Sequence, residues 1–539
     1  MAEAVVVPPA EAQTRPAEAS LGSQSVAMSV GLLASRGLGF VRDVVIAYRF
    51  GASAQTDAYL VAIQIPTVAE NLLAGPALHN ALIPVAAQET AAAPSGARLR
   101  QLLWNAGTLT LAVNGAAVLV LAASATWLVP LFAGGFSLEA RALAVQLTML
   151  ALLGMPLMAL TRLAWAILNV QGRFWGPALS QSLSNVALIL FALFLGVRLG
   201  IHALAAGFVI GLGLQVLVQY IELGRLGLLG IGAVNWRDPD LLSALRQFLP
   251  LALGQLVVVL SPAVDTAIAT FLPPGGVTII RYAQGVIVPF AIISVAVSAP
   301  AMPRLSRLVS QDAFEAVTGL LQRVVRPLSL MLFGAAACVF VARTPLVTLL
   351  YQRGAFDALA VRQTADTLGV YAFSIPFAGL YYFLLRGLVA FAAGRAILLL
   401  NLVALVLNVA LDLLFLPLFA HAGIALSSLC VQVVYMLIAA LVLSRKLRDQ
   451  HFLPGIWRPL LANAAAAAVA ILAGAAASGP VARLASGELP LLVVPALVAG
   501  AVYLALSRVL GAGDLAWLIS LLPAGVRSFI VGARGRRAE

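Results

Sequence analysis

Ile397-Leu-Leu-Leu-Asn-Leu-Val-Ala-Leu-Val-Leu-Asn-Val-Ala-Leu-Asp-Leu-Leu-Phe-Leu-Pro-Leu-Phe419 is one apolar run, interrupted only by Asn401, Asn408, Asp412 and Pro417. About 20 such residues, wound as a helix, cross the hydrocarbon core of a bilayer. A helix that is apolar on every face belongs in a buried core or in lipid. Thirteen comparable stretches lie around it: 24–49, 56–87, 101–132, 140–170, 177–198, 201–222, 243–272, 279–309, 319–342, 361–392, 422–444, 459–478 and 489–510. The composition agrees. Of 539 residues, 62% are hydrophobic and 10% are charged, and the mean hydropathy is +1.01. Soluble proteins average about 45–50% apolar and about 25% charged residues. A water-soluble enzyme, a nucleic-acid reader and a disordered scaffold are therefore excluded. The expected fold is an all-α polytopic membrane protein of about 14 transmembrane helices.

The two halves repeat. Phe50, Pro66, Pro84, Gly135 and Phe136 recur as Phe271, Pro289, Pro303, Gly354 and Phe356, and Pro156, Gly172-Arg173 and His202-Ala203 recur as Pro376, Gly394-Arg395 and His421-Ala422. The order is kept, at offsets near 220 residues. Each repeat holds six helices, and an even number makes the two units parallel, an architecture used by transporters that rock around a bound substrate. The expected organisation is a disordered tail at 1–23, an N-lobe at 24–225, a C-lobe at 243–447, a C-terminal helix pair at 458–511 and a basic tail at 512–539. The tail lacks the basic-then-apolar order of a cleaved signal peptide. The net charge is +12. Loop cations divide 19 to 8 in favour of the side that carries both termini, which predicts cytoplasmic termini by the positive-inside bias. Cys338 and Cys430 fall in apolar stretches and read as packing. The four histidines, His79, His202, His421 and His451, show no metal or catalytic spacing.

Ionisable groups inside apolar spans mark function, because a charge in lipid costs several kcal/mol, about 2.5–3.5 on insertion scales. Here they are Arg36, Arg42, Asp43, Asp57, Glu70, Arg162, Asp265, Arg386 and Asp412. Arg36 and Arg42 are six residues apart and point about 120° from each other around a helix, so Arg36 can face an anionic ligand while Arg42 pairs with a neighbour such as Asp57. Asn408 and Asp412 share one helix face. With Asp265 and Ser428 they would supply hard oxygen ligands to a small cation. The structural alternative is snorkelling or an internal salt bridge for the arginines, and pairing with an arginine or protonation for the carboxylates.

The stretches Ser35-Arg-Gly-Leu-Gly-Phe-Val-Arg-Asp43, Phe50-Gly-Ala, Thr56-Asp57-Ala-Tyr and Ile83-Pro84 resemble the N-terminal signature of the MurJ/MviN family. Leu350-Tyr-Gln-Arg-Gly-Ala-Phe-Asp357 is similar to that family's loop before helix ten. The resemblance implies a flippase, not an enzyme, that moves undecaprenyl-pyrophosphate-linked lipid II across the bacterial inner membrane. It implies two six-helix lobes, with the last two helices completing a groove for the lipid tail. Arg36, Arg42 and Asp57 take positions at which the family contacts substrate. Asp265, Asn408, Asp412 and Ser428, with the Ile424 carbonyl, take sodium-coordinating positions. No cofactor is implied beyond Na+ as a coupling ion, and the partners are the lipid-linked glycan and the phospholipid bilayer, with no nucleic acid and a monomeric state. The chain departs from the family where a helix-two arginine pair is replaced by Glu70-Asn71, and where a helix-eight arginine is replaced near Gln284-Gly285. Arg281, one turn away, would substitute. The alternatives are an exporter of another polyprenyl-linked glycan or of drugs in the same superfamily and, more distantly, a membrane glycosyltransferase.

Overall fold

The computed structural model describes residues 35–92, 96–298, 301–449, 451–484 and 487–511, so both expected tails, and residues 24–34 of the first span, lie outside the described residues. The described chain folds as helices and groups into two compact units. The first unit holds the described residues up to Phe50 together with Ala58–Ala263, and the second holds Gly51–Asp57 and the described residues from Val264 onward. Along the chain run α1 (35–50), α2 (Ala54–Leu73), α3 (Gly75–Ala92), α4 (Ala97–Ala123), α5 (Ala125–Phe132), α6 (Leu138–Leu152), α7 (Gly154–Val170), α8 (Trp175–Leu190), α9 (Gly196–Leu199), α10 (His202–Arg225) and α11 (Pro239–Ala269). They are followed by α12 (Gly276–Ser298), α13 (Ala301–Ser310), α14 (Phe314–Tyr351), α15 (Ala358–Ala390), α16 (Gly394–Phe419), α17 (His421–Leu447), α18 (Phe452–Leu484) and α19 (Glu488–Val509).

Eleven spans among the described residues are long and apolar enough to cross a membrane. The three expected stretches outside that set are 24–49, 56–87 and 243–272. In the second of these the helix breaks between Leu73 and Gly75, and it carries Thr56, Asp57, Gln64, Thr67, Glu70 and Asn71. Elsewhere one span is assembled from two helices: α6 hands over to α7 at Leu153, and α8 continues through a π-turn at Phe191–Leu195 into α9. At 38 residues, α14 is about 57 Å long at 1.5 Å per residue, well beyond the hydrocarbon thickness.

The opening stretch illustrates how these helices are sided. The buried residues of α16 are Leu400, Ala404, Asn408 and Asp412. They recur every four residues and form one stripe. Val406, Leu413, Leu414 and Leu418 on the other faces are exposed. Leu119, Trp127, Phe194 and Leu472 are exposed in the same way, and such apolar surface is compatible with lipid and not with water. Polar groups turn inward instead. In the second unit α18 and α19 pack on α14 around a buried cluster. There Tyr503 Oη donates to Leu330 O (2.8 Å), and Asn463 Nδ2 donates to Ser329 Oγ (3.0 Å). These bonds satisfy groups that would otherwise be orphaned in an apolar interior.

Candidate functional site

Three of the five expected cation ligands, Asp265, Asn408 and Asp412, are brought together. Asn408 Nδ2 donates to Asp265 Oδ1 and, over 3.1 Å, to Asp412 Oδ2. Asn408 is 3% exposed and Asp412 is 0% exposed. No arginine, lysine or histidine pairs with either carboxylate among the described residues. The second oxygen of Asp412 is buried and has no hydrogen-bond partner. Ile424 and Ser428 follow on α17. Ile424 is fully buried, and the Ser428 side chain is directed at the hydroxyl of Tyr371. Two carboxylates around one amide, with an orphan oxygen, fit a small hard cation. Turning the amide would add its oxygen to the same donor set, because the two ends of an asparagine are interchangeable in placement.

Three further residues surround this cluster. Ser427 Oγ donates to the carbonyl of Asn408 over 3.2 Å and closes α17 onto α16. Tyr371, buried on α15, accepts from Gln284 Nε2 over 2.9 Å. Gln284 is one turn beyond Arg281 on α12. Arg281 is exposed and has no hydrogen bond or ion pair among the described residues. Gln284 and Tyr371 therefore link the helix of Arg281 to the side of α17 that carries Ser428. The sequence carries no spacing signal for Tyr371 or Ser427.

Asp57 occupies a different place. It is 2% exposed. Its Oδ1 accepts from Thr278 N (2.8 Å) and Thr278 Oγ1 (2.6 Å), and its Oδ2 accepts from Gly275 N (2.7 Å). The carboxylate that the resemblance assigns to substrate is thus taken up as a cap on the N-terminus of α12, where free N–H groups and the helix dipole favour an anion. The backbone is shaped for this approach. Gly51 (φ +63°) has no room for a Cβ beside Ala355 O, and a Cβ on Gly275 (φ +92°) would lie 2.6 Å from Ala52 O. Thr278 is 221 residues beyond Asp57, the same offset that separates Phe50 from Phe271, so the repeat register is the signal that could have found it.

On α1 the two arginines divide. Arg42 donates to Asp43 Oδ1 from Nε (2.9 Å) and Nη2 (2.8 Å), and to Asn185 Oδ1 from Nη1 (3.0 Å). Asn185 in turn donates to Ser35 O over 3.1 Å, which ties α1 to α8. Arg36 is exposed and has no partner among the described residues. A guanidinium without a partner among the described residues can meet an anion. Arg386 lies 5.1 Å over the ring of Tyr382, with a bond of 3.2 Å to its hydroxyl.

Known proteins resemble this chain along most of its length. The family model described as lipid II flippase MurJ matches residues 46–519. A lipid II flippase MurJ of Burkholderia cenocepacia is 31% identical over 406 residues, covering 73% of this chain and 78% of its own. A probable lipid II flippase MurJ of Aquifex aeolicus is 29% identical, covering 68% and 71%. Among solved structures, a lipid II flippase MurJ in an inward closed conformation superposes with a TM-score of 0.74 at 21% identity, over 90% of this chain and 98% of that one. A multidrug resistance MATE family transporter of the MOP superfamily gives a TM-score of 0.63 at 14% identity, over 79% and 99%.

Proposed function

The chain belongs to the lipid II flippase MurJ family and is a transporter, not an enzyme; from that premise we propose that it carries lipid II across the bacterial inner membrane by alternating access. The observation that carries this reading is the family match across 46–519. Arg36, exposed and without a partner among the described residues, attracts the pyrophosphate. Arg281, exposed and without a partner among the described residues, takes the place of the family's missing helix-eight arginine. Arg42 holds α1 in position through Asp43 and Asn185. Asp57 fixes the first turn of α2 on α12.

Sodium is the coupling ion in this reading, and Asp265, Asn408, Asp412, the Ile424 carbonyl and Ser428 hold it. The bound cation would neutralise two carboxylates that no cationic side chain among the described residues pairs with. Both termini are cytoplasmic, as the loop arginines indicate, and the monomer is the working unit.

Lipid extracts test the substrate. A strain depleted of this chain should accumulate the undecaprenyl-linked peptidoglycan precursor on the cytoplasmic side. Accumulation of a different glycan lipid, with peptidoglycan unaffected, would replace lipid II by that glycan. Arg36→Ala should abolish rescue of the depleted strain at normal protein level, whereas full rescue would remove Arg36 from the mechanism.

A further inference from the structure

None of the roles above uses Glu70 or Arg162. Glu70 on α2 is completely buried, and neither of its carboxylate oxygens has a hydrogen-bond partner. Its ion-pair partner among the described residues is Arg162 on α7, at a closest approach of 3.7 Å between Nε and Oε1. That is beyond hydrogen-bond distance. A guanidinium committed to a carboxylate normally makes two parallel short bonds through its fork. This one does not, and its Nη groups have no acceptor among the described residues.

Arg162 also lines a cavity of about 150 Å³, with Thr161, Trp165 and Asn169 of α7, Gln181 of α8 and Gln215 of α10. Trp165 is braced by the His79 ring, with centroids 5.2 Å apart. Asn169 Oδ1 is buried and unpartnered. A flip of that amide presents a donor in its place. Three helices thus converge one guanidinium and three amides on a small space, and two of those side chains are visibly unsatisfied. A neutral sugar could accept bonds from the amides and the guanidinium but would leave the positive charge without a counterpart. A tetrahedral oxyanion would occupy both, since its oxygens accept from a forked guanidinium and from amide N–H groups approaching from other directions.

We propose that this cavity in the first unit is a binding site for a phosphate-type oxyanion, either free phosphate or the phosphate of a lipid headgroup, held by Arg162 with Asn169, Gln181 and Gln215. Glu70, behind the guanidinium, is the resident competitor. It holds Arg162 in place while the cavity is empty, and it weakens the hold on an entering anion by like-charge repulsion.

The test is thermal unfolding of the detergent-purified full chain. It is titrated with sodium phosphate against sodium chloride at matched sodium and ionic strength, and separately with short-chain phosphatidylglycerol. A saturable rise in melting temperature with phosphate, absent with chloride, is expected. Glu70→Gln should tighten that response about tenfold, equivalent to about 1.4 kcal/mol. The neutral double variant Glu70→Gln/Arg162→Gln should lose it. Gln181→Ala, on an exposed wall residue, should weaken it without touching the buried pair, which keeps the test decisive if the double variant fails to fold. A response to phosphatidylglycerol but not to phosphate assigns the site to lipid headgroups. No saturable response to either, or a response that neither Gln181→Ala nor the double variant reduces, overturns the proposal.

Discussion

The two units treat buried carboxylates in opposite ways. In the first, Glu70 faces Arg162, so the protein supplies the countercharge from its own sequence. In the second, Asp265 and Asp412 flank the Asn408 amide with no cationic side chain among the described residues paired to either. A buried charge must be compensated from somewhere. Where the compensation is covalently part of the chain, it is permanent, and the site is fixed. Where it is left to solution, the site responds to concentration, and folding stability becomes linked to a ligand. The difference separates a constitutive charge pair from a site whose charge state can change during a transport cycle.

Removing the built-in cation should have the largest effect. Arg162→Gln leaves Glu70 buried and alone, and breaking a buried pair from one side costs about 3–5 kcal/mol. Chemical unfolding in detergent should show that loss, and Glu70→Gln in the same chain should restore most of it. If the single variant is as stable as the parent, the pair is not a compensated charge and the contrast between the units fails. The next effect in size has the opposite form. In the parent, sodium a hundredfold above its dissociation constant should add about 2.7 kcal/mol. Asp412→Asn should abolish that increment, yet be no less stable than the parent in sodium-free buffer, because it removes one of two neighbouring like charges. A variant that keeps the sodium increment would place the ion elsewhere.

How much of this was readable in advance depends on the kind of signal. Asn408 and Asp412 were legible because a four-residue spacing puts them on one face of an otherwise apolar helix, and α16 buries that face. Arg36 was legible because a charge in an apolar run is costly wherever the helix packs. The break between Leu73 and Gly75 and the π-turn at Phe191–Leu195 were not. The π-turn lies in continuous apolar sequence, where hydropathy reports a span and says nothing of its kinks, whereas the break follows Glu70-Asn71 and precedes Gly75-Pro76, a signal that reading 56–87 as one span passed over. The fate of Asp57 needed tertiary structure, because its three donors come from Gly275 and Thr278, more than 200 residues away. Tyr371, Gln284 and Ser427 stayed hidden for a related reason. Single Tyr, Gln and Ser residues are common in membrane helices, and their role appears only when their partners on other helices are known.

Tyr371 also offers the finest probe of the second unit. Its hydroxyl accepts from Gln284 and faces Ser428, so it joins the helix of Arg281 to the side of α17 that carries Ser428. Tyr371→Phe removes that one atom and keeps the buried ring. A single neutral hydrogen bond is worth about 1 kcal/mol, so the variant should fold and should lose about that much stability. If the path only props up the fold, sodium should bind the variant as it binds the parent. If it orients Ser428 toward the ion, the sodium concentration giving half of the thermal stabilisation should rise severalfold, and Gln284→Leu should raise it in the same direction by less, because it acts one bond further away. A half-saturation point unmoved by either substitution would mean that the cluster is set by α11, α16 and α17 alone. The open charge of the second unit would then be a local property of those helices and not one end of a path that reaches the candidate substrate arginine.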